Sequence, residues 1–276
     1  MKAQVLLPKV FNYPFTYNSN TECKIGDLVE IPFGSKREIG VIWKNNYIEP
    51  KNLKLKKISK ITEYSIDRKL VDFIEWFSSY NMVSMGLVLK MVIGGTDKFI
   101  RIKDSLIKIK KKKIKKFKLN EEQNTALEYL QKVNNKFDVS VLQGTTGSGK
   151  TLVYFQRIKK IIEKNEQALV LLPEIFLTND FKSRFEDYFG FEPAIWHSKI
   201  TPKQKRIIWQ GIINNRIKIL VGARSALLLP FKKLGLIIVD EEHDTSYKQD
   251  EGVIYNARDM AISRAKFENI PIHLVT

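Results

Sequence analysis

The sequence predicts an α/β lobe with a parallel sheet, preceded by a small β-rich, barrel-like N-terminal domain. Short β-rich runs separated by turn residues occupy residues 1–62, as in a small barrel or twisted sheet. From residue 119 onward helical segments alternate with apolar strands, which indicates a parallel sheet covered on both faces. A lysine-rich run separates the two patterns, so we expect domains at 1–92 and 119–276 joined by a linker at 93–118.

The first half contains three predicted strands and one predicted helix. The strands are AQVLLP, DLVEIPFG and REIGVIW, with turns at Gly26–Asp27 and at residues 33–36. The helix follows residue 62, because four apolar residues recur there at spacings of three and four: Leu70, Phe73, Ile74 and Phe77. We expect this apolar face to pack into the core of the first domain.

The second half begins with a predicted helix, LNEEQNTALEYLQKV, in which Asn120 is the N-cap and Gln123 follows three residues later. A strand (VSVLQG) and a second helix after Lys150 follow. The remaining predicted elements are the buried strand QALVLLP, the helix FLTNDFKSRFEDYF and the strands KILVGA and LGLIIVD.

Composition restricts the class of protein. The 276 residues include 47 Lys and Arg against 30 Asp and Glu, which gives a net charge of +17, and 43% are hydrophobic. That apolar content excludes a wholly disordered chain. The single cysteine, Cys23, excludes a disulfide framework and a multi-cysteine zinc site, which fits a reducing cytoplasm. No signal peptide or membrane span is evident, so we expect a cytoplasmic protein with no membrane partner.

Most of the positive charge lies in one segment. Residues 98–118 hold eleven basic side chains against Asp104 alone. A basic protein neutralises phosphates and releases their counterions, so nucleic acid is the first partner to consider. Two interpretations of the segment stay open: a solvated tether, or a strap that contacts phosphates without sequence preference.

The strongest motif is GTTGSGKT, a phosphate-binding loop that matches G-x-x-x-x-G-K-[ST] at every fixed position. It follows a predicted strand and opens a helix, where backbone N–H groups and the helix dipole favour anions. We expect Lys150 to neutralise the β- and γ-phosphates and the Thr151 hydroxyl to bind Mg²⁺. The predicted ATP-binding residues of the loop are Gly144, Thr145, Thr146, Gly147, Ser148, Gly149, Lys150 and Thr151.

The second motif, LGLIIVDEEH, places acids at the end of an apolar strand. Carboxylates at this edge of a parallel sheet lie where ligands bind. We expect Asp240 to hold Mg²⁺, directly or through water, and Glu241 to orient and deprotonate the attacking water. A GTPase is disfavoured because no N-K-x-D sequence is present.

The DEEH sequence resembles the second signature of the superfamily 2 helicases, and a wider set of segments resembles one family. The segments LNEEQ, LLPEIFLT, HS at 197–198, GARSALLLPF and DEEHDTSYKQDEGVIYNARDMAISRA occur in the order found in the bacterial replication-restart helicases of the PriA family, also called primosomal protein N′. VFNYPF, IPFG and EIGVIW resemble that family's 3′-end-binding domain. The resemblance implies a RecA-like P-loop ATPase lobe after the first domain.

The resemblance also implies roles for single residues of the lobe. Gln123 resembles the glutamine that reads adenine, and His243 resembles the residue that couples the nucleotide site to DNA. Two segments look like those that track the single-strand backbone, Pro173–Thr178 and Gly222–Ser225, with ordinary turn chemistry as the alternative. Their phosphate donors are Thr178, Arg224 and Ser225. Residues 244–258 resemble an aromatic-rich loop that stacks bases and holds phosphates, or else a surface loop whose tyrosines pack on the domain; the residues concerned are Tyr247, Lys248, Tyr255 and Arg258.

In the first domain four residues resemble the pocket for the 3′-terminal nucleotide of a nascent strand: Phe11, Asn12, Gly34 and Lys56. Phe11 would stack on the base, although without the family it reads as a core aromatic residue. Gly34 would let the backbone approach the nucleotide. The family usually has aspartate where this chain has Asn12.

The function implied is an ATP-dependent 3′→5′ DNA helicase that recognises stalled forks and 3′ ends and initiates primosome assembly. ATP and Mg²⁺ are the implied cofactors, and primosome and single-strand-binding proteins the implied partners besides DNA. The family continues beyond PIHLVT with a second lobe and a zinc module, and usually has a winged helix where residues 93–118 lie. We therefore expect a catalytically incomplete N-terminal part, with zinc only in the missing C-terminal region. Two alternatives are a DNA-binding module that binds ATP without translocating and an unrelated phosphate-loop ATPase with a basic tail.

Overall fold

The computed structural model describes residues 1–45, 54–94, 114–132 and 136–276. The chain divides into two compact units, Met1–Ile100 and Arg101–Thr276. Most of the predicted linker, including Lys110–Lys113, lies outside the described residues. Every helix in the described part of the chain is too short or too polar to cross a bilayer.

The first unit is built on an antiparallel five-stranded sheet, which contains the three predicted strands and two more. Its strand order is β2-β1-β4-β3-β5, and the N-terminal β-rich class is confirmed. The strands are β1 (Lys2–Leu6), β2 (Phe15–Asn18), β3 (Asp27–Phe33), β4 (Lys36–Asn45) and β5 (Lys60–Ser65).

The barrel-like character of this sheet comes from its edges. Backbone hydrogen bonds join Asn18, at the end of β2, to Lys56 and Ile58, just before β5. The two edge strands are thereby connected, which satisfies backbone groups that an open edge leaves unpaired. The apolar core beneath the sheet includes Val5 and Ile31.

Two helices complete the first unit: α1 (Arg68–Tyr80) and α2 (Met85–Ile93). The four apolar residues predicted to face the core from α1 are all buried. The first turn of α2 lies directly against the loop after β1, where the Gly86 N–H donates to the Phe11 carbonyl at 3.0 Å. This loop carries two of the predicted 3′-end residues.

The second unit is an α/β lobe built on a parallel sheet, as predicted; the sheet has six strands in the order β6-β13-β10-β7-β9-β8. Its helices are α3 (Glu121–Lys132), α4 (Lys150–Glu163), α5 (Asn179–Phe189), α6 (Pro202–Ile213) and α7 (Ala257–Glu268). Its parallel strands are β6 (Asp138–Leu142), β7 (Gln167–Leu171), β8 (Ala194–Trp196), β9 (Ile219–Gly222), β10 (Leu234–Asp240) and β13 (Pro271–Val275), and a small hairpin is formed by β11 (Lys248–Gln249) and β12 (Tyr255–Asn256).

Buried apolar strands place the functional loops of this lobe. β7 and β10 are buried at every position, as expected for central strands of a parallel sheet. The carboxyl ends of β6, β7 and β10 lie on one edge of the sheet, so the segments after them converge there.

Residues before α3 also contact the lobe. The Lys115 ammonium lies 2.7 Å from the Asp187 carboxylate, and the Phe117 ring stacks on Tyr188 with centroids 5.7 Å apart. Both contacts are to α5, so the last residues of the predicted linker are packed within the second unit.

Candidate nucleotide site and DNA-facing residues

The phosphate loop connects β6 to α4. Gly147 and Gly149 have φ values of +83° and +85°, a left-handed backbone that glycine adopts at little cost. Gly149 is the N-cap of α4, so the loop presents its N–H groups beside a helix N-terminus. The Gly144 N–H donates to the Thr276 carbonyl at 3.1 Å, which fastens the loop to the end of β13.

Lys150 points into its own loop. Its ammonium donates to the carbonyls of Gly144 and Thr145, the latter at 3.1 Å. These neutral acceptors are weaker partners than phosphate oxygens, which form charge-assisted hydrogen bonds with a lysine. The position of the ammonium therefore fits its predicted role toward nucleotide phosphates.

Gln123 is bound to both the start of α3 and the phosphate loop. Its Oε1 accepts from the Asn120 N–H at 3.0 Å while Asn120 Oδ1 accepts from the Gln123 N–H at 2.8 Å, so the predicted cap is confirmed. The Gln123 Nε2 donates to the Ser148 carbonyl at 2.9 Å. A side chain at Gly149 would lie 2.4 Å from this nitrogen. The left-handed backbone of Gly149 explains the glycine, and adenine reading by Gln123 stays a prediction.

Asp240 ends β10 with a carboxylate that is only 9% exposed. Its Oδ2 accepts from the Tyr154 hydroxyl at 2.8 Å, and its Oδ1 accepts from the Glu241 N–H at 3.1 Å. Burial raises the pKa of this carboxyl, while the bond from Tyr154 opposes the rise. A nearby cation would relieve the cost of holding the buried charge.

The residues predicted for Mg²⁺ meet through Tyr154. Thr151 and Asp240 both interact with its buried hydroxyl. The described residues contain no group of three or more His, Cys, Asp or Glu that could hold a metal. Mg²⁺ usually binds one or two carboxylates together with substrate phosphates rather than a protein cage, so one buried acid and one hydroxyl beside a phosphate loop fit Mg²⁺ carried by a nucleotide.

Glu241 and His243 form the outer part of this site. Glu241 has a φ of +49°, which turns the chain sharply after β10. Its Oε2 lies 3.6 Å from the His243 Nε2, and the other imidazole nitrogen, Nδ1, lies 2.9 Å from the Thr276 hydroxyl. Because Thr276 also accepts from Gly144, His243 is connected to the phosphate loop.

The predicted base-stacking role of two tyrosines is wrong. Tyr247 is 1% exposed and Tyr255 is 3% exposed, so neither ring offers a face to a nucleobase. The Tyr247 hydroxyl lies 3.0 Å from the Leu171 carbonyl and 2.6 Å from the Asp240 carbonyl. Both tyrosines pack on the domain, which is the alternative that the sequence left open.

The charged residues of the same loop have different surroundings. Lys248 is exposed, with its ammonium 3.2 Å from the Asp250 carboxylate. Arg258 is held by Glu242 at 3.1 Å and by Asp259 at 3.0 Å. Lys248 thus stays accessible to phosphate, whereas Arg258 links the DEEH segment to the start of α7.

The three predicted backbone-tracking residues all take part in turns. Thr178 Oγ1 accepts from the Phe181 N–H at 3.2 Å and caps α5, and Ser225 Oγ accepts from the Trp196 ring nitrogen at 3.1 Å. Arg224 donates to the Lys248 carbonyl. Both hydroxyls act as acceptors in these bonds and keep a proton to donate, so turn chemistry and phosphate contact are compatible here.

In the first unit three of the four predicted 3′-end residues lie around one hairpin. The half-buried Phe11 ring packs edge-on against Phe33, with centroids 5.7 Å apart, which agrees with the core-aromatic alternative. Gly34, in the turn between β3 and β4, has a φ of +60°. The Lys56 ammonium donates to the Gly34 carbonyl at 3.4 Å. A side chain at Gly34 would meet nothing within 4 Å, so its backbone is open to approach.

Asn12, the fourth of these residues, is bonded to α2 instead. Its Oδ1 accepts from the Met85 N–H at 3.2 Å, at the start of that helix. Asn12 is itself exposed. The carbonyl oxygen thus uses one of its two lone pairs, and Asn12 keeps the other lone pair and the amide N–H groups to offer.

Comparisons with known proteins agree with this arrangement. The sequence model of the DEAD/DEAH box helicases matches residues 120–272, and that of a 3′ DNA-binding domain matches residues 4–94. The chain belongs to the DEAD/DEAH box helicase family. Its second unit is thus a helicase core that contains the phosphate loop and the DEEH segment described above.

Individual relatives of this helicase-family chain match different shares of it. It is 41% identical over 279 residues to the replication restart protein PriA of Rickettsia prowazekii (strain Madrid E), covering 99% of this chain and 42% of the relative. It is 41% identical over 165 residues to the PriA of Bacillus subtilis (strain 168), covering 59% and 20%. The chain therefore spans about two fifths of the length of the first of these relatives. A solved structure, the UvsW helicase from bacteriophage T4, aligns with a TM-score of 0.43 and 19% identity over 62% of this chain and 57% of that one.

Sequence reasoning missed two residues of the helicase site. Tyr154 contacts Asp240, and its position three residues after Thr151, on the same face of α4, was the available signal. Thr276 contacts both His243 and the phosphate loop. No sequence pattern pointed to it, because the contact depends on β13 lying between β6 and β10.

Proposed function

We propose that this chain supplies the DNA-end reader and the first ATPase lobe of an ATP-driven 3′→5′ DNA helicase that acts in replication restart. The observation that carries the proposal is the succession of two modules in one chain, a 3′ DNA-binding domain at 4–94 and a helicase core at 120–272. A relative similar along both modules is named as a replication restart protein. A machine that acts at a stalled fork needs to bind the end of the nascent strand and to move along DNA.

The same proposal includes the organisation of the chain. We assign residues 1–92 to 3′-end binding, 93–118 to a basic linker and 119–276 to the ATPase lobe. Forked DNA, single strands and 3′ ends are the proposed substrates, and primosome and single-strand-binding proteins are the proposed partners, in the cytoplasm. The supporting findings are the two family matches and the division into compact units.

In the proposed ATPase site each residue has a distinct task. Lys150 and the loop N–H groups bind the β- and γ-phosphates, and Thr151 and Asp240 would hold Mg²⁺, which supplies neutralisation of phosphate charge. Glu241 orients the attacking water and accepts its proton. His243, between Glu241 and Thr276, connects this site to the phosphate loop and from there to the end of β13.

The proposed DNA contacts are those that remain accessible. In the lobe they are the Thr178 and Ser225 hydroxyls, the remaining N–H groups of Arg224, and Lys248; phosphate contacts of this kind fix position without reading sequence. In the first unit they are Phe11, Asn12, Gly34 and Lys56.

Binding to forked DNA tests the proposal. Fluorescence anisotropy would compare a fork with a 3′-OH at the junction, the same fork with the 3′ end displaced from the junction, and a single strand of equal length, all at one salt concentration. We expect the first fork to bind several-fold more tightly than the other two. Equal affinities for all three would contradict a 3′-end reader.

A further inference from the structure

The Asp240 carboxylate is oriented by a hydroxyl from a neighbouring helix. Tyr154 lies on α4, three residues after Thr151, and its side chain is fully buried. Its hydroxyl donates to Asp240 Oδ2 at 2.8 Å, while Oδ1 accepts from the Glu241 N–H at 3.1 Å. Each carboxylate oxygen thus has its own donor, and two donors on opposite oxygens fix the plane of the group.

The backbone of Asp240 is held separately. The Tyr247 hydroxyl lies 2.6 Å from the Asp240 carbonyl and 3.0 Å from the Leu171 carbonyl. These carbonyls end the adjacent strands β10 and β7. Tyr247 therefore fixes where the main chain of Asp240 lies, and Tyr154 is the side chain that, together with the Glu241 N–H, fixes how the carboxylate is turned.

Packing does not explain why residue 154 is a tyrosine. Its ring meets Phe155 edge-on, with centroids 5.2 Å apart, and a phenylalanine ring would fill the same space. The hydroxyl is what tyrosine adds, and burying a hydroxyl is costly unless it is hydrogen-bonded. The interaction with a buried carboxylate repays that cost, since bonds to charged groups are the stronger ones.

We propose that Tyr154 is a positioning residue, whose hydroxyl holds the Asp240 carboxylate in the orientation that nucleotide-bound Mg²⁺ requires. The inference rests on the proposed ATPase function of this site. It makes α4 the source of both the Thr151 hydroxyl and the group that orients Asp240. Without the hydroxyl, the carboxylate can rotate, and ordering it again opposes Mg²⁺ binding.

The test is a Tyr154→Phe variant of the 276-residue chain, which removes one oxygen atom from the core. A fluorescent ATP analogue is bound first in EDTA and then over a range of Mg²⁺ concentrations, and thermal unfolding of the free protein is followed by circular dichroism. We expect the Mg²⁺ concentration for half-maximal effect to rise about 5- to 10-fold, as for the loss of one hydrogen bond to a charged group. Affinity in EDTA should stay within about twofold of the parent.

Two further variants make the result specific. Tyr188→Phe removes the hydroxyl of another mostly buried tyrosine in the same unit and should leave the Mg²⁺ requirement unchanged. In an Asp240→Asn background, Tyr154→Phe should add no further change, because its target carboxylate is gone.

The outcomes separate this inference from the proposed function. An unchanged Mg²⁺ requirement in Tyr154→Phe, an equal weakening in EDTA, or additive effects with Asp240→Asn would each overturn the positioning role. Absence of saturable ATP binding by the parent chain would overturn the proposed ATPase function itself, and the inference with it.

Discussion

His273 is a titratable residue in β13, the strand next to the edge strand β6 of the parallel sheet. Its side chain is fully buried. Burial, and then the nearby charge of Arg157, lower the pKa of this imidazole to about 3, against a smaller opposing effect of a backbone hydrogen bond at Ile272. The unfolded chain, with an ordinary histidine pKa of about 6.5, binds the proton more readily. Stability is therefore lost as the pH falls from about 6.5 toward 3.

We predict that His273→Leu reduces this acid sensitivity. Urea unfolding at pH 6.5 and pH 5 should show a loss of about 1.6 kcal/mol in the parent protein from this residue, because the slope rises from about 0.7 kcal/mol per pH unit at pH 6.5 toward about 1.4 at lower pH. In the His273→Leu variant, the free energy of unfolding should fall by that much less between the two pH values. His197→Leu, at a half-exposed site in the same unit, is the control and should behave as the parent does. Identical pH dependence in parent and His273→Leu would show that the buried imidazole does not carry the effect.

A second prediction concerns a single residue of the first unit, Asn12. In Asn12→Asp the carboxylate can still accept from the Met85 N–H, and a negative charge at a helix N-terminus is favourable. The fold should therefore persist while a charge is added beside the proposed 3′-end pocket. The carboxylate accepts more strongly from a 3′-OH and repels a 3′-phosphate.

Titration with short single strands ending in 3′-OH or 3′-phosphate measures this effect. The parent should prefer the hydroxyl only mildly, and Asn12→Asp should raise the ratio of the two affinities about 5- to 10-fold, as for a change of about 1 kcal/mol. If the parent already rejects the phosphate strongly, or if the ratio does not change in the variant, Asn12 is not the end-reading group.

Individual residues differed in how well the sequence predicted them. Lys150 and Thr151 follow from a loop whose spacing fixes their place at a helix N-terminus. Tyr247 did not, because its side chain turns toward the ends of two strands that are distant in sequence. An aromatic residue in a polar loop can either stack on a nucleobase or pack into the protein core. Only the long-range contact shows which of the two it does.

The docking of α2 on the loop after β1 is the contact between elements that matters most for the proposed 3′-end pocket. A Cβ at Gly86 would lie 2.0 Å from the Lys9 carbonyl oxygen and 2.5 Å from that of Leu7. Both are backbone atoms, so the helix or the loop has to move to admit a side chain. The same loop carries Phe11 and Asn12.

We predict that Gly86→Ala displaces this loop. The free energy of unfolding should fall by about 2 kcal/mol, within the usual range for overpacking, and binding to recessed 3′ ends should weaken. Lys90→Ala, on the exposed side of the same helix, is the matched control and should change neither quantity. Chemical denaturation and anisotropy measure the two effects, and a Gly86→Ala protein as stable as the parent would contradict the close contact.

Local sequence patterns predicted individual strands and helix ends, but they did not predict the pairing of strands that are distant in sequence. Strand alternation indicated β3 and β4, and the spacing of Asn120 and Gln123 indicated the start of α3. The connection of Asn18 with Ile58, which links the edges of the first sheet, joins residues too distant in sequence for a local pattern.

For the molecule as a whole, the distribution of charge governs non-specific affinity. The lysine-rich run, including Lys110–Lys113, lies outside the described residues, so its role stays a prediction from the sequence. Each neutralised phosphate contributes about 0.9 to the slope of log affinity against log salt on duplex DNA. Replacing these four lysines by serine should therefore flatten the slope by about 3 to 4.

A charge-matched variant distinguishes direct DNA contact by the lysine-rich run from an effect of the total net charge. The control variant replaces four exposed lysines in other parts of the chain, Lys44, Lys69, Lys164 and Lys203. It removes the same net charge and should change the slope less. Equal slopes for the strap variant and the parent would mean that the run is only a tether.

The proposed ATPase function requires that ATP binds at the phosphate loop, which isothermal titration with ATP and Mg²⁺ measures. The parent chain should bind one nucleotide. Lys150→Ala should bind it at least about tenfold more weakly, since it loses a charge-assisted contact worth about 1.5–3 kcal/mol. Lys164→Ala, at the other end of the same helix, should bind as the parent does. Unchanged affinity in Lys150→Ala, or a parent chain that does not bind ATP, would contradict the account.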